Sequence, residues 1–281
     1  SCHRLLGGRR MKHDNRPIGI FDSGLGGLTV AAAIRRQLPG ESIIYLGDTA
    51  RVPYGGKSTD TILQFAREDA QFLLAREVKC VVIACNTVSA LALGSLQTAW
   101  PQETFLGVVT AGVAKTLSLK RVKQVLLIGT AATVNSDSYR MLIHRERPDI
   151  HVRSIACPLL VPLAEEGMTE GEIMQKVLRG YLEPGLEGSP DALILGCTHY
   201  PLLTSAIRQV IPKRMRIVDS AKACAEAVER HLQAHGMTAA DACRGSAQFF
   251  VTDMPASFFK LASRFLGESL EQVDKVALPQ A

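Results

Sequence analysis

Short apolar segments alternate with longer segments of helical periodicity along most of the chain. Apolar runs typical of strands buried on both faces of a parallel sheet occupy residues 18–21, 42–46, 80–84 and 104–109. Between them, residues 59–76 and 86–100 repeat apolar side chains at helical spacing. Strands that alternate with helices in this way predict βαβ units and a doubly wound α/β fold.

The second half of the chain repeats this pattern. Its matching apolar runs are residues 125–130, 151–162, 192–197 and 218–221. Pro162 matches Pro53, and Cys197 matches Cys85, at nearly the same offset along the chain. An offset that stays almost constant through four elements predicts an α/β fold with two pseudo-symmetric, doubly wound parallel sheets.

The tail beyond residue 221 adds a helix (222–235), a short strand (248–252) and a last helix (255–266). The repeat does not say which half of the chain this tail joins. Charged segments near residues 110–121 and 215–221 are the expected crossings between the halves.

Most of the net charge of +5 lies in the segment 1–16, where basic side chains far outnumber the single acidic side chain, Asp14. The rest of the chain is nearly neutral and has no basic stripe interleaved with aromatic residues, which argues against nucleic acid as a partner. No run of 18 or more apolar residues predicts a membrane span. The segment 1–16 also lacks the apolar core of a secretory signal, so we expect 1–15 to be a flexible leader in which Met11 could begin the natural chain.

The chain contains an odd number of cysteines, which stand at positions 2, 80, 85, 157, 197, 224 and 243. Cys80, Cys157 and Cys224 fall within apolar runs, where buried thiols are common. This usage indicates a reducing cytoplasm rather than a disulfide framework.

Cys85 and Cys197 occupy equivalent places in the two halves, each at the end of a strand and the start of a helix. Hydrogen-bonding residues follow each thiol, Asn86–Thr87 in one half and Thr198–His199 in the other. Because the free N–H groups of a helix start stabilise a thiolate, we expect both thiols to have a pKa below the ordinary cysteine value of about 8.5. Carboxyl ends of parallel strands are also where such folds bind ligands. Two structural cysteines in similar positions are the alternative interpretation.

Other chemistries of cysteine and histidine fit the spacing less well. No CxxC or HExxH motif is present, and Cys197 and His199 supply two zinc ligands at most. A cysteine hydrolase with His199 as base is a stronger competitor, but it leaves Cys85 without a role. Two equivalent thiols facing one substrate from opposite sides fit a proton transfer with two mirror-related directions.

Two glycine-containing segments follow the first two strands. In residues 20–30, Asp22 and Ser23 can contact an ammonium group or orient a neighbour, and the glycines match neither GxGxxG nor GxxxxGK[ST]. In residues 47–58, the PYGG stretch can turn backbone N–H groups toward a carboxylate, with a plain surface turn as the alternative.

Five motifs in this order and spacing, DSGLGG, DTARVPYG, ACNTVSA, VPLAEEG and GCTHYPLL, resemble the glutamate racemase family. The resemblance extends from about residue 16 to about residue 267. It implies cofactor-independent and metal-independent interconversion of L- and D-glutamate for bacterial peptidoglycan, with the active site between two α/β domains. By the same resemblance, the domains are 16–111 plus 221–281, and 112–220.

The resemblance also implies a role for each site residue. Cys85 is then the base for D-glutamate, and Cys197 is the base for L-glutamate. The groups implied to tune the two thiols are Asp22, His199 and Glu165, of which Asp22 and His199 also count as substrate-binding. The implied contacts to the ammonium and α-carboxylate groups are Asn86, Thr87 and Thr198, and those to the side-chain carboxylate are Ser23, Tyr54 and Gly55.

Three functions stay open on the sequence: a glutamate racemase, a racemase of aspartate or another acid, and a non-catalytic protein whose two lobes close on glutamate. The family commonly forms homodimers. Some members with an N-terminal extension respond to a UDP-linked peptidoglycan precursor, so residues 1–16 leave such an activator open.

Overall fold

The structure is a computed structural model that describes residues 13–240, 245–254 and 258–279. Its strands form two parallel sheets. The first sheet has the order β10-β9-β2-β1-β3-β4 and contains β1 (Ile18–Asp22), β2 (Ile43–Gly47), β3 (Cys80–Ile83), β4 (Phe105–Gly107), β9 (Ala247–Val251) and β10 (Asp274–Lys275). The second has the order β6-β5-β7-β8 and contains β5 (Gln124–Gly129), β6 (His151–Ala156), β7 (Ala192–Gly196) and β8 (Arg216–Asp219).

Helices follow most of the strands and cover both sheets. Those of the first half are α1 (Leu28–Gln37), α2 (Thr59–Leu74), α3 (Asn86–Ala99) and α4 (Val108–Ser118). Those of the second half and the tail are α5 (Ala131–Asn135), α6 (Ser138–Glu146), α7 (Leu160–Glu165), α8 (Glu172–Leu186), α9 (Thr204–Arg208), α10 (Ser220–His235) and α11 (Phe258–Leu266). Within the described ranges, every helix is too short or too polar to span a bilayer.

Each sheet is buried on both faces. Successive residues of a strand point to opposite sides of its sheet, and both sets of side chains are packed in a core. Ile20 of β1 packs in the cluster with α1 and α10, whereas its neighbour Phe21 packs in the cluster with α2 and α3. In β5, Ile128 packs with α8 and Leu127 packs with α4 and α6. This double burial explains the continuous apolar runs of the strands, and it confirms the predicted doubly wound α/β class.

The two sheets share one strand order, since β2-β1-β3-β4 corresponds to β6-β5-β7-β8. In the first sheet β1 pairs with β2 and β3, and in the second β5 pairs with β6 and β7 in the same parallel sense. The predicted duplication of the α/β fold is therefore confirmed. It places Cys85 and Cys197 after corresponding strands, β3 and β7.

One predicted strand is too long. The apolar run 104–109 predicts a single strand, but β4 ends at Gly107, and Val108 and Val109 begin α4. Where the chain turns, the N–H of Val109 donates to Ser89 Oγ at 3.1 Å. An apolar run alone does not distinguish a buried strand from the buried start of a helix.

The tail strands extend the first sheet, because β9 pairs with β2 and β10 pairs with β9. The predicted last helix begins at residue 255, but residues 255–257 lie outside the described residues, and α11 is described from Phe258. Residues 1–12 of the predicted leader lie outside them as well. The domain boundaries stay a prediction, and the boundary between residues 111 and 112 falls within α4.

Candidate active site

A cavity of about 410 Å³ lies between the carboxyl ends of the two sheets. Residues that follow strands of both sheets line it, as expected for a ligand site in a parallel α/β fold. Ten of the eleven predicted site residues are on this lining: Ser23, Tyr54, Gly55, Cys85, Asn86, Thr87, Glu165, Cys197, Thr198 and His199. The remaining one, Asp22, is buried directly before Ser23 at the end of β1.

Cys85 lies two residues after the end of β3 and directly before α3, at its N-cap position. Its Sγ accepts a hydrogen bond from Ser23 Oγ at 3.3 Å. Burial raises the pKa of the Cys85 thiol to about 12, and the nearby Asp22 carboxylate adds to the rise. The N–H of Val88 in the first turn of α3 does lower this pKa, but by less. The expectation of a lowered pKa at the helix start is therefore wrong for Cys85, which is a thiol at neutral pH.

Cys197 has a different neighbourhood. His199 Nδ1 lies 3.8 Å from Cys197 Sγ, and His199 Nε2 lies 3.0 Å from Glu165 Oε1. Burial favours the neutral imidazole, but the hydrogen bonds to Cys197 and Glu165 together raise the pKa of His199 to about 10. A protonated His199 can donate to the sulfur and stabilise a thiolate on Cys197.

Asp22 lies behind the cavity, close to Cys85. The N–H of Gly24 donates to its Oδ2 at 3.0 Å. Burial raises the pKa of Asp22, while the N–H of Gly27 and the charge of His199 oppose the rise. The two thiols thus have unlike partners, a buried carboxyl beside Cys85 and an imidazole beside Cys197.

Hydroxyl groups from both halves meet at the start of α3. Thr87 Oγ1 lies 3.1 Å from Thr130 Oγ1, and Tyr139 Oη donates to Asn86 Oδ1 at 2.7 Å. The sequence analysis missed Thr130 and Tyr139. The repeat could have found Thr130, because it follows β5 directly, as Ser23 follows β1.

Gly26 of DSGLGG allows close contact between the halves. A Cβ on Gly26 would lie 2.3 Å from Thr198 Oγ1 and 2.5 Å from His199 Nδ1. Thr29, one turn later, donates from its hydroxyl to the carbonyl oxygen of Thr198 at 2.9 Å. Gly26 therefore makes room for the residues beside Cys197.

Tyr54 lies at the edge of the cavity, but its hydroxyl is already engaged. The hydroxyl donates to Asp48, and Asp69 Oδ2 lies 3.3 Å away. Gly55, in contrast, comes close to the second half, because a Cβ on it would lie 3.7 Å from Thr130 Cβ. The PYGG segment therefore offers its backbone to the cavity, while the Tyr54 hydroxyl anchors the segment to the first half.

The cavity lining combines apolar side chains with hydroxyl groups, an amide, an imidazole and thiols. In the part of the chain that the structure describes, no group of three or more histidine, cysteine or acidic side chains is placed to hold a metal ion. The arrangement can bind an acid through fixed donors and hold two thiols near it.

Comparison with known proteins finds relatives that match nearly the whole chain. Residues 26–228 match the model of the Asp/Glu/Hydantoin racemase family. A glutamate racemase from Syntrophus aciditrophicus is 44% identical over 262 residues, which cover 93% of this chain and 97% of that protein. The structure of a Francisella tularensis glutamate racemase in complex with D-glutamate superimposes with a TM-score of 0.87 at 38% identity, covering 94% of this chain and 98% of that chain.

A third relative was solved with two ligands. The Escherichia coli glutamate racemase, in complex with L-glutamate and the activator UDP-MurNAc-Ala, superimposes with a TM-score of 0.74 at 29% identity. The match covers 94% of this chain and 99% of that chain.

Proposed function

The chain belongs to the Asp/Glu/Hydantoin racemase family and, within it, to the glutamate racemases, and on this premise we propose that it interconverts L- and D-glutamate by proton transfer between Cys85 and Cys197. The observation that carries the proposal is the pair of thiols at equivalent strand ends on the lining of one cavity. Inversion at Cα requires a base on one face of the substrate and an acid on the other.

The unlike neighbours of the two thiols define a starting state. The His199 imidazolium supports a thiolate on Cys197, while Cys85 holds its proton. The Cys197 thiolate takes the Cα proton of L-glutamate, and the Cys85 thiol delivers its proton to the opposite face, which yields D-glutamate. The Cys85 thiolate left behind then takes the Cα proton of D-glutamate in the reverse direction. This assignment follows the family resemblance.

The intermediate carbanion needs stabilisation from fixed donors. A turnover of about 10 per second corresponds to a barrier of about 16 kcal/mol, which allows a difference of about 12 pKa units between base and carbon acid. In water, the pKa of an amino-acid Cα–H exceeds that of a thiol by more than this difference. The groups available to hold the charge that develops on the α-carboxylate are Asn86, Thr87, Thr130 and Thr198.

The proposal extends to the role of the product and to the compartment. We assign D-glutamate to peptidoglycan synthesis, as the family resemblance implies. The described residues include five free cysteines, all buried: Cys80, Cys85, Cys157, Cys197 and Cys224. Free thiols support the reducing cytoplasm as the compartment.

An activator and a homodimer are also part of the proposal. UDP-MurNAc-Ala is an activator of the Escherichia coli relative. We expect racemisation by this protein to respond to UDP-MurNAc-Ala, and an unchanged rate removes the activator from the proposal. The homodimer is tested by light scattering at several protein concentrations, where a mass of one chain throughout contradicts it.

Hydrogen exchange at Cα tests the main proposal. In heavy water, each enantiomer of glutamate should give the other with deuterium at Cα, measured by chiral chromatography and proton NMR. Binding of glutamate without exchange would identify a two-lobed binding protein instead. Exchange of aspartate but not of glutamate would identify a racemase of a different acid.

A further inference from the structure

A hydrogen bond between Tyr139 and Asn86 joins the two halves of the chain beside the cavity. Tyr139 lies in α6 of the second half and is fully buried. Its Oη lies 2.7 Å from Oδ1 of Asn86, which begins α3 in the first half directly after Cys85.

The other end of the Asn86 amide has no hydrogen-bond partner in the part of the chain that the structure describes. Its Nδ2 is buried and donates no hydrogen bond within the described residues. A buried amide N–H without an acceptor is unfavourable, and native proteins rarely leave one. Because Asn86 lines the cavity, an acceptor bound there, such as a carboxylate oxygen, completes the pairing.

Tyr139 determines which end of this amide is left for the ligand. A buried phenol needs an acceptor for its proton, and among the described residues the one that Tyr139 Oη uses is Asn86 Oδ1. If the amide were rotated by half a turn, the phenol proton would lose its acceptor, and the amide oxygen would take the place of the donor. An oxygen in that place would repel a carboxylate.

We propose that Tyr139 is a positioning residue that holds Asn86 with Nδ2 toward the α-carboxylate of the substrate, an inference that rests on the proposed function for the identity of that substrate. Gly112 of α4 gives the tyrosine its place. A Cβ on Gly112 would lie 3.2 Å from both Cε1 and Oη of Tyr139, so a larger residue would displace the ring.

A double-mutant cycle tests this proposal. Tyr139→Phe removes the hydroxyl and keeps the ring, so we expect the Kd of D-glutamate, measured by calorimetry, to rise about tenfold. In an Asn86→Ala background the same substitution should change Kd by less than about twofold, because Tyr139 acts through Asn86. kcat/KM should follow the same pattern. A purely structural role of the hydroxyl predicts equal effects in both backgrounds.

Tyr200→Phe is the matched control. Tyr200 is also fully buried, and its hydroxyl donates to the carbonyl oxygen of Cys157 at 3.2 Å. Its removal should change Kd by the same factor with and without Asn86. If Tyr139→Phe does not fold, Gly112→Ala shifts the same ring and should show the same dependence on Asn86.

The outcomes separate the two proposals. Equal effects of Tyr139→Phe in both backgrounds, or no effect in the wild type, overturn the positioning role. Wild-type protein that binds glutamate without racemising it overturns the proposed function alone, since the cycle on Kd still decides the role of Tyr139. Wild-type protein that binds no glutamate overturns both.

Discussion

His199 Nε2 lies 3.0 Å from Glu165 Oε1, while Nδ1 of the same ring lies 3.8 Å from Cys197 Sγ. One imidazole therefore connects a partly exposed carboxylate with a buried thiol. Because both contacts favour the protonated ring, His199 can hold a positive charge next to Cys197 Sγ.

The pH dependence of racemisation should report this arrangement. The pKa of His199 is raised to about 10 in the folded protein. The stabilisation that His199 adds is thus fully present below its ordinary pKa of about 6.5 and is lost as pH rises through about 10. We expect kcat/KM for L-glutamate to fall over that same upper range.

Glu165→Gln removes one of the two contacts that raise this pKa, so the alkaline limb of the kcat/KM profile should move to lower pH. Glu166→Gln makes the same change of charge at the next residue and should leave the limb in place. Identical profiles for the two variants would contradict the role assigned to Glu165.

Each catalytic thiol should be needed for racemisation. Since general acid–base groups contribute about 10²- to 10⁴-fold, Cys85→Ser and Cys197→Ser should each lower the rate by at least about 100-fold. In heavy water, Cys85→Ser should still exchange the Cα proton of L-glutamate, and Cys197→Ser that of D-glutamate. Cys224→Ala, a change of a buried thiol outside the cavity lining, should retain racemisation. Wild-type rates in both serine variants would end the two-thiol mechanism.

Gly26→Ala should disturb the residues beside Cys197. Its Cβ would lie 2.3 Å from Thr198 Oγ1, so the Thr198 and His199 side chains must move, and a displacement near 1 Å lowers kcat/KM by about 100-fold. Gly94→Ala provides the control, because, among the residues that the structure describes, nothing beyond the adjacent backbone of α3 lies within 4 Å of its added Cβ. It should keep full activity and raise the free energy of unfolding by about 0.5–1 kcal/mol. Equal activities of the two variants would show that the contact at Gly26 is unimportant.

Tyr54→Phe should affect stability more than substrate binding. The hydroxyl donates to Asp48 with Asp69 nearby, so its loss should lower the free energy of unfolding by about 1–3 kcal/mol. KM for glutamate should change by less than about threefold, because this hydroxyl is occupied within the first half. Urea unfolding measures the free energy of unfolding, and steady-state kinetics measures KM. An unchanged stability with a tenfold rise in KM would mean that the hydroxyl binds substrate.

The duplicated fold could be predicted because the same pattern of strands and helices occurs twice in the sequence, at a nearly constant offset. The same repeat singled out Cys85 and Cys197, since position in a βαβ unit determines which edge of the sheet a residue reaches. The end of β4 could not be predicted, because an apolar run is equally typical of a buried strand and of the buried start of a helix.

The contacts between the two halves could not be predicted from the sequence either. Tyr139 lies outside every motif of the sequence, and the glycine segment that contains Gly26 does not show which residues it contacts. The importance of both comes from the partners that the packing of the two sheets brings near them. The pKa of Cys85 was mispredicted for a related reason. Helix position is a local property, whereas the burial that dominates this pKa is a property of the whole fold.

The unlike neighbours of the two thiols have a consequence for the kinetics of the two enantiomers. A chain of L-residues can repeat itself by rotation but contains no mirror plane. In the proposed mechanism, the substrate faces assigned to Cys85 and to Cys197 are therefore diastereomeric environments. Their individual kcat and KM values are therefore free to differ. Because the two enantiomers have equal free energy in water, the ratio of their kcat/KM values must nevertheless equal one. The asymmetry around the thiols determines how quickly equilibrium is reached from each side, and it leaves the racemic end point unchanged.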